Sequence, residues 1–146
     1  MALTNFSATN TVPVMENLAV PEVAYWPKKS EPFVSPITVY VAGPIALGDQ
    51  IANCGRAIRF GHELHTLGFV PYVPHWAIVQ QMYSPWTPDE WLEYDFVWLD
   101  KCETLFRLSG ESKGADLEVA RAKRLGLPVF YELAELLEYR RLRLCA

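Results

Sequence analysis

The sequence predicts an α/β fold, a parallel sheet of four or five strands with helices on both faces. Two observations carry the expectation. Short apolar, β-branched runs alternate along the chain with segments of helical period, and parallel strands need crossover connections of that kind. The helical segments are also bounded by residues that start and stop helices, so each reads as a separate crossover.

Residues 1–35 come first and contain Asn, Thr, Ser and the prolines Pro13, Pro21, Pro27 and Pro32, without a sustained strand or helix period. They are expected to form an extended or partly disordered arm, whose apolar piece Val20 to Trp26 could dock on the domain or on a neighbouring subunit. The domain itself is expected over residues 36–146. It opens with ITVYVA, Ile37 to Ala42, a run typical of a buried strand, broken by Gly43-Pro44. A helix is predicted from Asp49 to Leu67, with Cys54, Ala57, Ile58, Gly61, Leu64 and Leu67 on one face and Gly68 as its stop. FVPYV, Phe69 to Val73, is the second strand, and HWAIVQQMYSPW after it reads as a loop with one helical turn.

Thr87-Pro88-Asp89-Glu90 is a helix start: a hydroxyl cap, proline at the first position, and acids at the positive end of the helix dipole. That helix should run to about Lys101. TLFRL, Thr104 to Leu108, is a strand; a helix from Gly114 to Leu125 ends at Gly126; LPVFY is the next strand; and Leu133 to Leu144 is the last helix. In open parallel sheets ligands bind beyond the carboxyl ends of the strands. The loops Gly43 to Asp49, Pro74 to Thr87 and Ser109 to Gly114 are therefore where a site is expected.

Composition narrows the function. With 146 residues, 51% of them hydrophobic and 21% charged, the chain fits one domain with a sizeable core. A net charge of -4, a pI near 5.4 and the lack of a basic stripe disfavour nucleic acid polymers, though a local phosphate site stays open. Cys54, Cys102 and Cys145 are far apart and lack CxxC spacing, so neither a disulfide framework nor a zinc site is expected. His62 and His65 lie three apart without a third ligand at useful spacing, and no metal or organic cofactor is expected. No run of about 18 apolar residues exists, and the first 30 residues lack a basic start followed by an apolar stretch. No membrane partner and a cytoplasmic address are the simplest expectations.

Two carboxylates stand in unusual places. If Ser112 caps the helix after SGES, a capping box would need Glu or Gln at the position held by Ala115, so Glu118 has no capping role. It shares a helical stripe with Ala115, Val119, Ala122 and Leu125 and should face the sheet. Burying a lone carboxylate is costly, and position alone leaves Glu118 between a structural partner and a catalytic group. The preceding helix repeats the pattern, because Asp95 is the one charge in the arc of Trp91, Leu92, Phe96, Trp98, Leu99 and Cys102. Paired carboxylates are the minimal equipment for glycosidic bond chemistry. Tyr40 reads first as strand core, yet its hydroxyl could hold the rotamer of an inward carboxylate. Ser112-Lys113-Gly114 offers a hydroxyl and free N–H groups that suit an anion, while Gly43 to Gly48 is neither GxGxxG nor a P-loop. His75 follows Pro74 at a strand end and could line the pocket. Trp76, Trp86, Trp91 and Trp98 read as core or interface, with one or two near enough to stack on a base.

VYVAGPI (Val39 to Ile45), Asp95 within DFVWLDKCETL, and SKGADLE (Ser112 to Glu118), in this order, resemble the nucleoside 2-deoxyribosyltransferase-like superfamily, which includes 2'-deoxynucleoside 5'-phosphate N-hydrolases. The resemblance spans about residues 37 to 131. It implies a flavodoxin-like, Rossmann-like sheet and a homo-oligomer, dimer or higher, in which a neighbouring subunit often completes the site. It implies Glu118 as nucleophile at C1' of the sugar, Asp95 assisting the leaving base, and Tyr40 orienting Glu118. Ser112 matches the serine that holds a 5'-phosphate in the hydrolase branch, whereas Gly43-Pro44-Ile45 looks more like the transferases. Backbone N–H groups near Gly43 and at Ser112 to Gly114 would hold phosphate or sugar oxygens. The expected activity is N-glycosidic cleavage of a (deoxy)nucleoside 5'-monophosphate, with transfer between free nucleosides or nucleotide binding without turnover as the competing readings.

Overall fold

The computed structural model describes residues 36–144. The arm expected at 1–35, and Cys145, lie outside the described residues. The elements follow in the order β1 (Thr38–Ala42), α1 (Gln50–Thr66), β2 (Val70–Tyr72), a 3-10 turn (Pro74–Trp76), α2 (Ala77–Tyr83), α3 (Pro88–Leu99), β3 (Thr104–Arg107), α4 (Lys113–Arg124), β4 (Val129–Phe130) and α5 (Leu133–Leu144). The expected α/β fold is the observed one. Its sheet has four strands among the described residues, in the order β2-β1-β3-β4, and every pairing is parallel.

The central strand explains the layers. Successive side chains of β1 leave opposite faces, so Val39 and Val41 pack with Ala57 and Leu64 of α1, Phe106 of β3 and Leu136 of α5. Tyr40 and Ala42 face the other way, toward Leu99 of α3, Leu105 of β3, and Ala115 and Ala122 of α4. Each fully buried aliphatic side chain contributes about 1.5–3 kcal/mol, which is why a strand buried on both faces is the fixed reference of the fold. The register Tyr40↔Tyr72 and Tyr40↔Leu105 then puts the two tyrosines at one level, with Leu105 of the core on the other side of Tyr40.

Local chemistry sets the helix boundaries. Asp49 Oδ1 accepts the Ala52 N–H at 2.9 Å and starts α1, and Gly68, at φ +83°, ends its last turn. Thr87 forms a full capping box with Glu90 at the start of α3. The segment expected to be a loop with one turn instead forms the 3-10 turn and the seven-residue α2. Its helicity is held from a distance: Gln81 Oε1 accepts from the Trp86 N–H at 2.9 Å and Trp91 Nε1 at 2.6 Å, and Gln81 Nε2 donates to Trp86 O. A short helix anchored by one side chain has no apolar period to read. Among the described residues no helix is long and apolar enough to cross a membrane.

At Gly61, α1 rests directly on the segment after β2, where an added Cβ would lie 2.5 Å from Val73 Cγ2. Gly61→Ala is expected to lower the unfolding free energy by about 1–2 kcal/mol, overpacking outweighing the roughly 1 kcal/mol of helix propensity gained. Gly55→Ala meets only the tip of Arg59 and should raise stability by about 0.5–1 kcal/mol. Urea unfolding of the two variants measures the difference, and equal stabilisation would show that the α1–β2 contact has room to spare.

Candidate active site

Strand order places the site. β1 and β3 lie side by side, but the chain leaves β1 toward α1 on one face and leaves β3 toward α4 on the other. The Gly43 turn and the Ser109–Ser112 loop both rise from the carboxyl ends of these strands, the end where open parallel sheets bind ligands, and they touch there: an added Cβ on Gly110 would lie 3.0 Å from Pro44 Cγ, and one on Gly43 3.2 Å from Leu108 Cβ.

Glu118 and Asp95 come together with Tyr40. Glu118 is 6% exposed and sits between the small residues Ala115 and Ala122, which let α4 approach the sheet. Tyr40 is fully buried, and its hydroxyl donates to Glu118 Oε1 at 2.7 Å. Asp95, 7% exposed, is carried in by α3, and its Oδ1 has no hydrogen-bond partner. Outside the pair, Arg121 Nε donates to Asp100 Oδ1 at 2.7 Å, so α4 and α3 are tied to each other at the surface.

Burial dominates the electrostatics. Desolvation pushes the Asp95 carboxyl up to about 7. Desolvation also raises Glu118 to about 7, with Asp95 nearby adding to the rise, while the Tyr40 hydroxyl and the charge of Arg107 oppose it. Burial and then Glu118 itself hold Tyr40 well above its ordinary value, so it remains a donor. Two carboxyl groups taken out of water together cannot both ionise cheaply. The hydrogen bond and the arginine favour charge on Glu118. Asp95 has neither.

The remaining expected residues occupy two levels. Gly43 and Pro44 are buried and Ile45 half-buried at the end of β1. His75 is fully buried beneath that turn: a Cβ on Gly43 would lie 3.3 Å from its Nε2. Desolvation holds its pKa down to about 4, and the nearby charge of Arg56 acts in the same direction against the favourable Pro44 backbone. His75 is thus a neutral ring supporting the turn from below. Ser112 caps α4, its Oγ accepting the Ala115 N–H at 3.2 Å, and Gly114 is exposed in the first turn. The first N–H groups of any α-helix have no acceptor inside it, and at α4 these include the N–H groups of Lys113 and Gly114, next to the Ser112 cap.

Three residues of the site escaped the sequence reading. Tyr72 stacks between Tyr40, at 5.6 Å, and Trp98, at 5.1 Å. Arg56 donates from Nη2 to Ser109 O at 2.8 Å. Arg107, 9% exposed, donates to Leu108 O, to Gly110 O at 2.9 Å and to Asp116 Oδ1 at 3.0 Å. A charge inside the apolar run TLFRL was the available signal for Arg107. A cleft of about 740 Å³ runs along the β2 edge, lined among others by Tyr72, Pro74, Trp76, Trp91 and Tyr94. Neither carboxylate lines it, and it meets the pair through Tyr72. Cys54 and Cys102 are free thiols.

Because both carboxyl groups have folded pKa values above their unfolded ones, the native state keeps protons that the unfolded chain has released. Their contribution is fully present below about pH 4 and is lost as pH rises through about 7. Asp95→Asn is therefore expected to stabilise the fold by roughly 1–3 kcal/mol at pH 8 and to have little effect at pH 4. Denaturant unfolding across this range measures it, and a difference independent of pH would show that Asp95 ionises as an ordinary carboxylate.

No curated protein matches the chain. Residues 37–132, which hold every residue of the site described above, match the family described as Domain of unknown function (DUF7768). The chain is a member of that family.

Proposed function

We propose that the protein cleaves the N-glycosidic bond of a (deoxy)nucleoside 5'-monophosphate, with water as the acceptor. The observation that carries this reading is the Tyr40-held Glu118 beside a desolvated Asp95 on the α3 and α4 face of the sheet. One carboxyl group is prepared to act charged and the other to act as an acid, which is the division of labour that retaining glycosidic chemistry needs.

In the first step a Glu118 carboxylate oxygen attacks C1' as the C1'–N bond breaks through an oxocarbenium-like transition state. The Asp95 proton passes to the departing base, leaving Asp95 charged and the sugar esterified to Glu118. In the second step Asp95 takes a proton from water, the hydroxide adds to C1', and the ester bond to Glu118 breaks. Both carboxyl groups return to their starting states. Throughout, the Tyr40 hydroxyl keeps Glu118 in one rotamer.

The Ser112 cap and the first turn of α4 support a 5'-phosphate, since a helix N-terminus presents N–H groups and positive potential. The Tyr72, Trp76, Trp91 and Tyr94 rings in the adjoining cleft support an aromatic base as leaving group. Free thiols at Cys54 and Cys102 support a cytoplasmic setting. Exposed Trp76, Val79, Met82 and Tyr83 on one side of the cleft, with Val97 and Trp98 on α3, support a homo-oligomer.

Deoxynucleoside monophosphates incubated with the protein should release free base, at pH values spanning a maximum near 7. Glu118→Ala should lower the rate by about a thousandfold or more and Asp95→Asn by about 10²–10⁴-fold, the second variant also losing the basic limb of the profile. Binding without base release would replace the hydrolase with a nucleotide-binding module, and base exchange upon adding a free base would make it a transferase.

A further inference from the structure

Tyr72 carries a polar atom that its packing does not use. The register pairs it with Tyr40 across β1 and β2, and its ring stacks between Tyr40, at 5.6 Å, and Trp98, at 5.1 Å. Tyr40 is the residue that bonds Glu118, and Trp98 lies three residues after Asp95, its neighbour on the surface of α3. Tyr72 is therefore wedged between the strand that holds Glu118 and the helix that brings in Asp95. Stacking fixes the ring, and phenylalanine would stack in the same way. The hydroxyl is left over. It makes no hydrogen bond to any other described residue, although a half-buried tyrosine usually finds its hydroxyl a partner. Asp95 Oδ1, buried on the adjoining helix, has none either. Tyr72 also lines the aromatic cleft of about 740 Å³, which neither carboxylate reaches.

We propose that Tyr72 is a substrate-binding residue, whose hydroxyl donates a hydrogen bond to an acceptor atom of the leaving base where that base meets Asp95. The proposal deepens the nucleotide hydrolase reading and rests on it for the identity of the ligand. Nucleobases carry ring nitrogens and carbonyl oxygens along their edges, so a base that takes a proton at one atom can accept from a second donor at another. The hydroxyl is suited to donate. Burial first, and then the nearby Asp95 carboxyl, raise its pKa well above the ordinary value, so it keeps its proton. Its place is also fixed before any ligand arrives, because Tyr40 and Trp98 hold the ring, and the bond therefore costs little ordering entropy. A leaving group without an acceptor at that edge leaves the hydroxyl unpaired, which is how a site built around a hydrogen bond rejects the wrong ligand.

Tyr72→Phe separates the hydroxyl from the ring. Because the hydroxyl has no partner among the described residues, the variant should unfold at the same urea concentration as the wild type. Its kcat/KM for deoxynucleoside monophosphates should nevertheless fall about tenfold, the loss of one hydrogen bond to the ligand. Tyr72→Leu, which also removes the stack, should lower both stability and kcat/KM. Calorimetric titration with adenine, guanine, cytosine and thymine reads the same contact without turnover: the base that the wild type binds most tightly should bind Tyr72→Phe about tenfold more weakly. A wild-type protein that releases no base, yet binds a free base through the Tyr72 hydroxyl, overturns the hydrolase reading alone. Base release with kcat/KM and base affinity unchanged in Tyr72→Phe overturns the role of Tyr72 alone, whether or not the urea midpoint moves. A wild-type protein that neither releases base nor binds one through this hydroxyl overturns both.

Discussion

The hydrogen bond from Tyr40 to Glu118 is the constraint around which the site is arranged. It joins the middle of the central strand to the inward face of α4, two elements separated by most of the domain in sequence. For the bond to form, α4 must come close to the sheet, and Ala115 and Ala122 flanking Glu118 allow that approach. Asp95 must then enter the same dry space from α3, where a second charge would be costly. The result is a pair of buried carboxyl groups, both pushed up to about 7 chiefly by desolvation. A fold selected for stability alone would have closed this space with aliphatic side chains.

The two faces of the sheet divide the work. On the α1 and α5 face, Val39, Val41, Leu64, Phe69 and Leu136 form an ordinary apolar core. On the α3 and α4 face, the same strand presents Tyr40, and the core around it is interrupted by Asp95 and Glu118. The aliphatic face anchors β1 firmly enough for the opposite face to carry buried charge. The loops above the strands add a second division, with His75 kept neutral beneath the Gly43 turn and two arginines gripping the loop after β3.

Much of this was legible in the sequence because it is local or periodic. Alternating strand and helix patterns predicted the parallel layers, and the helical period alone turned Glu118 and Asp95 inward. The failed capping-box position at Ala115 removed the most ordinary explanation for Glu118. Contacts between distant residues were not legible. Gln81 organises α2 through Trp86 and Trp91, which no period reveals. Tyr72 is an edge-strand residue whose importance comes from stacking between Tyr40 and Trp98. His75 was expected in the pocket lining, but the tight turn at Gly43 covers it. Arg107 and Arg56 matter for the carbonyls they reach, and a carbonyl leaves no mark in a sequence. The roles assigned to Glu118, Asp95 and Ser112 remain a proposal on top of this geometry, supported by the burial and hydrogen bonding of the groups themselves.

Trapping the covalent intermediate tests that proposal most directly. A 2-fluoro-2-deoxyarabinosyl nucleoside monophosphate destabilises the oxocarbenium-like transition states, so a good leaving base allows the first step while the second becomes slow. Mass spectrometry of the protein after incubation should show the mass of one fluorinated sugar phosphate, located by proteolysis on the peptide that contains Glu118 and absent from Glu118→Ala. Base release with the adduct on a different residue would contradict the assignment of Glu118 as the nucleophile.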